Sequence, residues 1–158
     1  MSDDYSEMTE KLNEIAASLH SQSTSGRSSS TGSVITTTPS SYDFHTYWRD
    51  SHPEEKKFCV AFREKVSEHF AKEIEEGRLR VHKLWDRPVG PHPIHMWELD
   101  TAGKFDPELF GQVLAFYQLN HGNLSVLVHP HTSAGSLADH TQHAVWLGYK
   151  QDLILDFL

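Results

Sequence analysis

Two helical repeats of apolar residues, each flanked by strand-like segments, leave few folds open to this chain. The first repeat is apolar at every fourth residue: Phe58, Phe62, Val66, Phe70 and Ile74. The second repeat follows Asp106-Pro107 and is apolar at Leu109, Phe110, Val113, Leu114 and Tyr117. Spacings of three and four residues place side chains on one face of a helix, so both segments are predicted to be helices with one buried side.

Strand-like segments, rich in aromatic and branched residues, precede and follow these helices. The predicted strands are Tyr42–Trp48, Leu79–Trp85, Ile94–Leu99 and Leu124–Val128. The first helix is predicted to begin at a capping box, Ser51 to Glu54, and to end at Gly77. The order βαββαβ predicts an α+β ferredoxin-like sandwich, with an antiparallel four-stranded sheet and a C-terminal extension. Within that extension, residues 152–157 have the composition of one more short strand.

Side chains alternate across a strand, so Asp43, His45 and Tyr47 share one face of the first strand. Phe44 and Trp48 lie on the other face. Both helices of a ferredoxin-like sandwich cover the same face of its sheet. We expect the face that carries Asp43 and His45 to be the uncovered one, available to a functional site or to the second subunit of a homodimer.

The first forty residues differ in composition from the remainder of the chain. They begin with an acidic segment, and Ser21–Ser40 then contains 13 serine or threonine residues. Such a segment cannot bury enough apolar surface to offset the entropy lost on ordering. We therefore predict a disordered tail over residues 1–40 and one folded domain over residues 41–158.

Charge and composition limit which partners and which cellular compartment fit this chain. The net charge of −8 provides no basic field for phosphates, which argues against nucleic acid and anionic membranes as partners. A single cysteine, Cys59, excludes an internal disulfide and fits a reducing compartment. The sequence has neither an apolar run of membrane-spanning length nor the pattern of a signal peptide, so we expect a cytoplasmic protein.

Histidine is the compositional outlier, with 12 residues against 14 lysines and arginines. Five histidines fall between His121 and Gly148, and two of them flank Pro130 at the end of the fourth predicted strand. Packing alone does not explain this concentration. Because the neutral imidazole is a common metal ligand, the segment predicts a metal site.

Five short motifs follow one another along the folded part of the chain. They are H-x-Y at His45, G-P-H-P at His92, L-V-H-P at His129, D-H at His140 and W-L-G at Gly148. Together they resemble the DOPA 4,5-dioxygenase family of small fungal and bacterial proteins, over residues 42–156. The resemblance implies a ferredoxin-like fold, non-haem Fe(II) as cofactor, and O₂-dependent extradiol cleavage of a catechol such as DOPA.

One position departs from the family pattern, which commonly begins with H-x-H where this chain has Asp43-Phe44-His45. A carboxylate beside a histidine can complete a two-histidine, one-carboxylate iron site, so Asp43 is assigned to the catalytic residues. The same departure is compatible with a different substrate, with weaker metal binding or with lost activity. His121 and His131 lie where the family pattern has other residues, and they receive less weight.

Strand geometry guides the choice of metal ligands. His92 and His129 are expected to lie more than about 10 Å apart, unless the loop after Pro91 or a dimer partner folds inward. We therefore predict His45, His129 and His140 as ligands of Fe(II). His92 is predicted to be the acid–base residue or the partner of a substrate hydroxyl.

Three other interpretations stay open at this stage. A metal-binding homologue that has lost catalysis is compatible with Asp43 in place of histidine. A non-enzymatic ferredoxin-like dimer would use the histidines as a pH-sensitive interface. Three histidines also suit a zinc hydrolase, although neither a nucleophile motif nor a phosphate-binding loop accompanies them.

Overall fold

A computed structural model describes residues 38–158. The elements in chain order are β1 Ser41–Trp48, α1 Pro53–His69, α2 Ala71–Glu75, β2 Arg80–Val81, β3 His95–Asp100, α3 Pro107–Asn120, β4 Ser125–His131, α4 Ser136–Thr141 and β5 Val145–Leu147. None of the helices in this range has the length and apolar character that crossing a bilayer requires. The disorder predicted for residues 1–40 falls outside the described residues, apart from residues 38–40.

The strands form one antiparallel sheet in the order β2-β3-β1-β4-β5. The first four strands have the predicted ferredoxin-like order, and the α+β class is confirmed. The prediction of a four-stranded sheet is corrected to five strands, because β5 pairs with β4 through Val126↔Leu147 and Val128↔Val145. Three residues are too few for period-two alternation to be recognised in a sequence. A 3₁₀ turn at Leu155–Phe157 replaces the strand considered for residues 152–157.

The main core lies between the helices and one face of the sheet. The strands supply Phe44, Trp48, Trp97, Leu99, Val126 and Val128. The helices supply Phe62 and Val66 from α1, and Leu109, Val113 and Tyr117 from α3. The Asp106 carboxylate caps α3 as predicted, accepting hydrogen bonds from the backbone N–H groups of Glu108 (3.0 Å) and Leu109 (3.2 Å).

The first predicted helix is divided in two at Phe70, whose φ of −105° and ψ of 25° interrupt the helix. A repeat of four residues advances about 40° around a helix at each step, so its stripe drifts off the buried face. Phe58 at the start of that stripe is accordingly 43% exposed, and the adjacent Cys59 is buried. The predicted capping box is wrong: His52 is the N-cap, its side chain accepts no hydrogen bond from the first turn of the helix, and Pro53 begins the helix.

The opposite face of the sheet carries the polar side chains. In the register of β1 with its neighbours, Asp43 faces Asp100 and His129, and His45 faces Glu98 and Leu127. Residues directly opposite each other project from the same face. Asp43 and His45 thus lie on the face away from α1 and α3, as expected. Part of this face is covered by apolar side chains, from Trp85, Val89, Ile94 and Leu153 in loops and from Trp146 in β5.

Gly148 fixes the end of β5 and offers a test of this arrangement. Its φ is +71°, and a Cβ at this position would lie 2.7 Å from the backbone carbonyl oxygen of Leu124. Gly77, after α2, has a similar φ of +68° but no atom within 4 Å of such a Cβ. We expect Gly77→Ala to lower the free energy of unfolding by about 1–2 kcal/mol through left-handed strain alone. Gly148→Ala should lower the free energy of unfolding by about 1–3 kcal/mol more than Gly77→Ala does, because the new Cβ also forces the backbone at Leu124 to move.

Urea denaturation of the two variants and the unmodified chain at neutral pH measures this difference. Equal losses of stability in the two alanine variants would contradict the packing of Gly148 against Leu124.

Candidate metal centre

Two histidines from neighbouring strands meet on the face of the sheet away from the helices. His45 of β1 is 3% exposed and His129 of β4 is 1% exposed. Their Nε2 atoms are 3.1 Å apart, and their rings are nearly parallel, with an interplanar angle of 10°. Because His129 is paired with Asp43 rather than with His45, the two histidines are diagonal neighbours across the strands.

His140 of α4 joins this pair from outside the sheet. Its ring centroid lies 3.9 Å from that of His129, and one ligand nitrogen from each of His45, His129 and His140 lies within 4.8 Å of the others. The structure therefore brings together the three residues predicted as metal ligands. The pairing of β1 with β4 and the position of α4 are sufficient to bring them together without a metal ion.

Asp139 holds α4 in place. Its carboxylate accepts hydrogen bonds from the backbone N–H of Thr132 (2.7 Å) and from the Thr132 hydroxyl (2.6 Å). It also accepts a hydrogen bond from Nδ1 of His143 (2.9 Å). The aspartate of the D-H motif thus anchors the helix to the residue after β4, and the imidazole that it orients is His143 rather than the adjacent His140.

Two of the three imidazoles are oriented by backbone carbonyls. Nδ1 of His129 lies 3.0 Å from the carbonyl oxygen of Pro130, and Nδ1 of His140 lies 2.9 Å from that of Ser136. A carbonyl oxygen only accepts, so each Nδ1 must carry the proton. In the neutral ring, Nε2 then holds a lone pair, which is the form that binds a metal ion.

Burial keeps these imidazoles neutral. Desolvation, and next the neighbouring His140, lowers the pKa of His129 to about 3. Desolvation also lowers the pKa of His140, and it lowers the pKa of His45 well below its usual value. Since a metal competes with protons for the same lone pair, neutral imidazoles near pH 7 favour metal binding.

His92 lies closer to this group than the strand geometry predicts. A turn in which Val89 and His92 exchange backbone hydrogen bonds of 3.0 and 3.2 Å carries the residue inward, and it is 5% exposed. Its ring centroid is 4.1 Å from that of His45 and 5.9 Å from that of His140. The loop that carries His92 folds onto the site, which is the condition under which the predicted separation from His129 does not apply.

The surroundings of His92 set its protonation and orientation. Desolvation, with a further contribution from His140, lowers the pKa of His92 to about 4, so the ring is neutral near pH 7. A hydrogen bond of 2.7 Å joins Nδ1 to the hydroxyl of Tyr47. Tyr47 is itself fixed by packing against Trp146, with ring centroids 5.8 Å apart.

Asp43 lies at the edge of the histidine group and not within it. Its Oδ2 is 3.8 Å from Nε2 of His129 and accepts a hydrogen bond from Nε2 of His131 at 2.7 Å. Asp43, His129 and His131 form a second set whose ligand atoms lie within 4.8 Å of one another. His131, which received little weight in the sequence, is thus the closest partner of Asp43.

Sequence reasoning missed three further residues on this face: His82, Glu98 and Asp100. His82 donates a hydrogen bond of 2.6 Å to Asp100, which also accepts one of 2.8 Å from Arg80. Desolvation, and next Asp43, raises the pKa of Glu98 to about 7. The sequence does contain a signal for the two carboxylates. Glu98 and Asp100 alternate with the apolar Trp97 and Leu99, which places both on the polar face of β3, beside β1.

An apolar wall and a cleft adjoin the histidines. Trp85, Val89 and Leu153 pack with Tyr47 on the same face of the sheet. A cleft of about 170 Å³ reaches His140, and its lining also includes Lys150, Gln151, Asp152, Leu153 and Leu155. A larger cleft of about 360 Å³ lies near the start of α1, lined by residues such as Arg49, Glu55 and Phe58. Of these two clefts, the smaller one adjoins the histidines that could bind a metal.

Comparison with known proteins gives a consistent result. The sequence profile described as the Dopa 4,5-dioxygenase family matches residues 42–157. The chain is 35% identical over 123 residues to an uncharacterized 21.2 kDa protein of Botryotinia fuckeliana, covering 74% of this chain and 62% of that protein. It is 28% identical over 110 residues to the DOPA 4,5-dioxygenase of Amanita muscaria, covering 68% of this chain and 44% of that enzyme.

The chain spans less than two thirds of the length of either of these relatives. Among solved structures, a candidate dioxygenase from Nostoc punctiforme matches with a TM-score of 0.62 and 26% sequence identity. That match covers 75% of this chain and 90% of the Nostoc chain.

The buried histidines predict how stability depends on pH in the metal-free protein. An unfolded histidine titrates near pH 6.5, whereas His92 and His129 in the folded chain titrate near 4 and 3, and His45 and His140 are also lowered. Between those values the unfolded state binds more protons, so stability falls as the pH falls. The raised pKa values of Asp43 and Glu98 stabilise the fold as the pH falls, but these two carboxyl groups are outnumbered by the four histidines.

We therefore expect the urea midpoint of chelator-treated protein to be lower at about pH 5 than at about pH 7. His129→Gln should reduce this difference, because it removes one of the four groups. A midpoint that is equal or higher near pH 5 would contradict the lowered pKa values of these four histidines in the folded chain.

Proposed function

Because the chain belongs to the Dopa 4,5-dioxygenase family, we propose that it is an Fe(II)-dependent extradiol dioxygenase that cleaves a catechol such as DOPA with O₂. The observation that carries the proposal is the convergence of two buried imidazoles, from His45 and His129, and the half-buried imidazole of His140, at distances that one metal ion can bridge. Membership of the family suggests the reaction class, and the histidine cluster suggests where the metal ion would bind.

The donor set fits iron in its chemistry. Imidazole nitrogens suit Fe, Zn, Cu and Ni, and many non-haem Fe(II) oxygenases hold iron with two histidines and one carboxylate. The site here offers three imidazoles with a carboxylate beside them, which is that set with one more histidine. His45, His129 and His140 would hold the ion through Nε2. Asp43, 3.8 Å from Nε2 of His129, is the nearest carboxylate to that ligand and would bind the ion or its water. When bound, Fe(II) would hold catechol and O₂ together and favour the deprotonated catechol.

His92 is the residue that we assign to proton transfer. If Nδ1–H donates to the Tyr47 oxygen, Nε2 carries the lone pair that can take a proton from a catechol hydroxyl. The lowered pKa of His92 keeps that lone pair available near pH 7. The proton bound there can be returned as the ring opens, so His92 would serve as base and then as acid.

The remaining residues would orient the substrate and limit access of water. Trp146 and Tyr47 form an aromatic wall beside His92, and Trp85, Val89 and Leu153 extend it with apolar surface. An aromatic ring packs favourably against such a wall. The cleft that reaches His140 offers an approach from solvent.

A metal-binding protein without this activity is the second candidate. It is favoured by one observation, the hydrogen bond of 2.7 Å that holds Asp43 against His131 at the edge of the cluster. Homodimer formation and a cytoplasmic location stay predictions.

Activity and metal content in matched variants test the proposal. The protein is reconstituted with Fe(II) without oxygen, and DOPA is then added in air. We expect consumption of one O₂ per DOPA and a yellow product whose mass equals that of DOPA plus O₂, or that mass less one water once the amine has condensed with the new aldehyde. His92→Gln should retain iron but lower kcat by about 10²–10⁴-fold, as expected for loss of an acid–base residue. His129→Gln should lose the iron as well.

His69→Gln is the control, since His69 stacks on Phe116 in the helical layer. This variant should keep the iron content and the kcat of the unmodified chain. Iron binding without oxygen uptake, restored by Asp43→His, would favour the second candidate. Absence of iron binding by the unmodified chain would overturn the proposal.

A further inference from the structure

Nδ1 of His45 differs from the corresponding atoms of the other two proposed ligands. It is buried, and among the described residues it has no hydrogen-bond partner. Its counterparts in His129 and His140 are each satisfied by a backbone carbonyl. When Nε2 of His45 binds a metal, Nδ1 must carry the proton of the neutral ring, and a buried N–H without an acceptor is unfavourable. Metal-binding histidines usually donate this other ring N–H to a carbonyl or carboxylate. The environment of His45 should therefore contain an acceptor.

Glu98 is the candidate for that acceptor. Its Oε2 lies 3.8 Å from Nδ1 of His45, and its side chain is 19% exposed. The two residues are directly opposite each other in the β1–β3 register and project from the same face. Opposed residues keep their Cβ atoms about 4.5–5.5 Å apart, so a small rotation of either side chain closes the contact to a hydrogen bond.

A second set of contacts holds Glu98 from its other side. Its Oε1 lies 3.6 Å from Nε2 of His82, which donates a hydrogen bond of 2.6 Å to Asp100. Arg80, always cationic, contributes 2.8 and 3.1 Å hydrogen bonds to the two oxygens of the same aspartate. The chain of contacts therefore runs from Arg80 at the surface through Asp100, His82 and Glu98 to His45.

We propose that Glu98 is a positioning residue that accepts the Nδ1–H of His45 and thereby aims Nε2 of His45 at the metal. This inference rests on the proposed function, since it assigns Glu98 a role toward the same metal. A carboxyl group can accept this N–H whether it is ionised or neutral, because its carbonyl oxygen remains an acceptor. Glu98 touches neither substrate nor metal in this role and acts only through His45.

Metal affinity measured in two Glu98 variants tests the proposal. Co(II) is titrated anaerobically into the chelator-treated protein, and its visible absorption reports binding. Glu98→Leu removes the acceptor and should weaken Co(II) binding about 10–100-fold, the usual effect of removing such a partner. Glu98→Gln keeps an amide oxygen and should weaken binding less. Asp152→Asn is the charge-matched control, because Asp152 lines the cleft beside His140, and its affinity should be unchanged.

Imidazole NMR of the Zn(II)-loaded protein gives a second readout that folding alone does not change. We expect a protected, downfield Nδ1–H resonance for His45 in the unmodified chain. The resonance should move upfield in Glu98→Gln, because a neutral acceptor makes a weaker hydrogen bond than a carboxylate. If Glu98→Leu fails to fold, this comparison decides the question.

Two results would overturn the inference while leaving the proposed function intact. One is unchanged affinity in Glu98→Leu together with an unchanged His45 resonance in Glu98→Gln. The other is an equal loss of affinity in Asp152→Asn, which would make local charge rather than orientation the cause. Absence of Co(II) binding by the unmodified chain would overturn both proposals.

Discussion

The pairing of β1 with β3 and β4 is the constraint on which the rest of the structure depends. One register places Asp43 opposite Asp100 and His129, and His45 opposite Glu98. Because side chains alternate with a period of two, a slip of one residue would turn these polar groups into the helical core and expose Phe44. Burial of the core therefore fixes the register, and the register in turn fixes which side chains can share a metal ion.

The sequence predicts the frame of the fold more completely than it predicts the site. Long periodic segments, such as the stripe of α3 from Leu109 to Tyr117, determine element type and buried face. The three-residue β5 carries too little pattern to be recognised. The inward turn at His92 depends on contacts between distant segments, including the hydrogen bond from Ile154 N–H to the carbonyl of Pro91. Glu98 was missed because its importance arises only from the residue opposite it.

The histidine cluster runs against the packing preferences of the fold. The imidazoles of His45 and His129 occupy buried positions. A polar group loses its hydration there, whereas an apolar side chain at the same position would not incur this cost. Departures of this kind from good packing concentrate at functional sites. A bound metal would use the lone pairs that burial keeps unprotonated, which is a physical reason for such a cluster to persist in an otherwise well-packed sheet.

The location of a bound metal tests this account most directly. Crystals prepared anaerobically with Fe(II) and measured at the iron absorption edge would give an anomalous difference peak at the metal position. The account predicts one peak bonded to Nε2 of His45, His129 and His140, each at about 2.1 Å, the distance typical of imidazole ligands to a comparable divalent ion. A peak held instead by Asp43 and His131, or beside His82 and Asp100, would contradict the central claim that these three histidines form the metal centre.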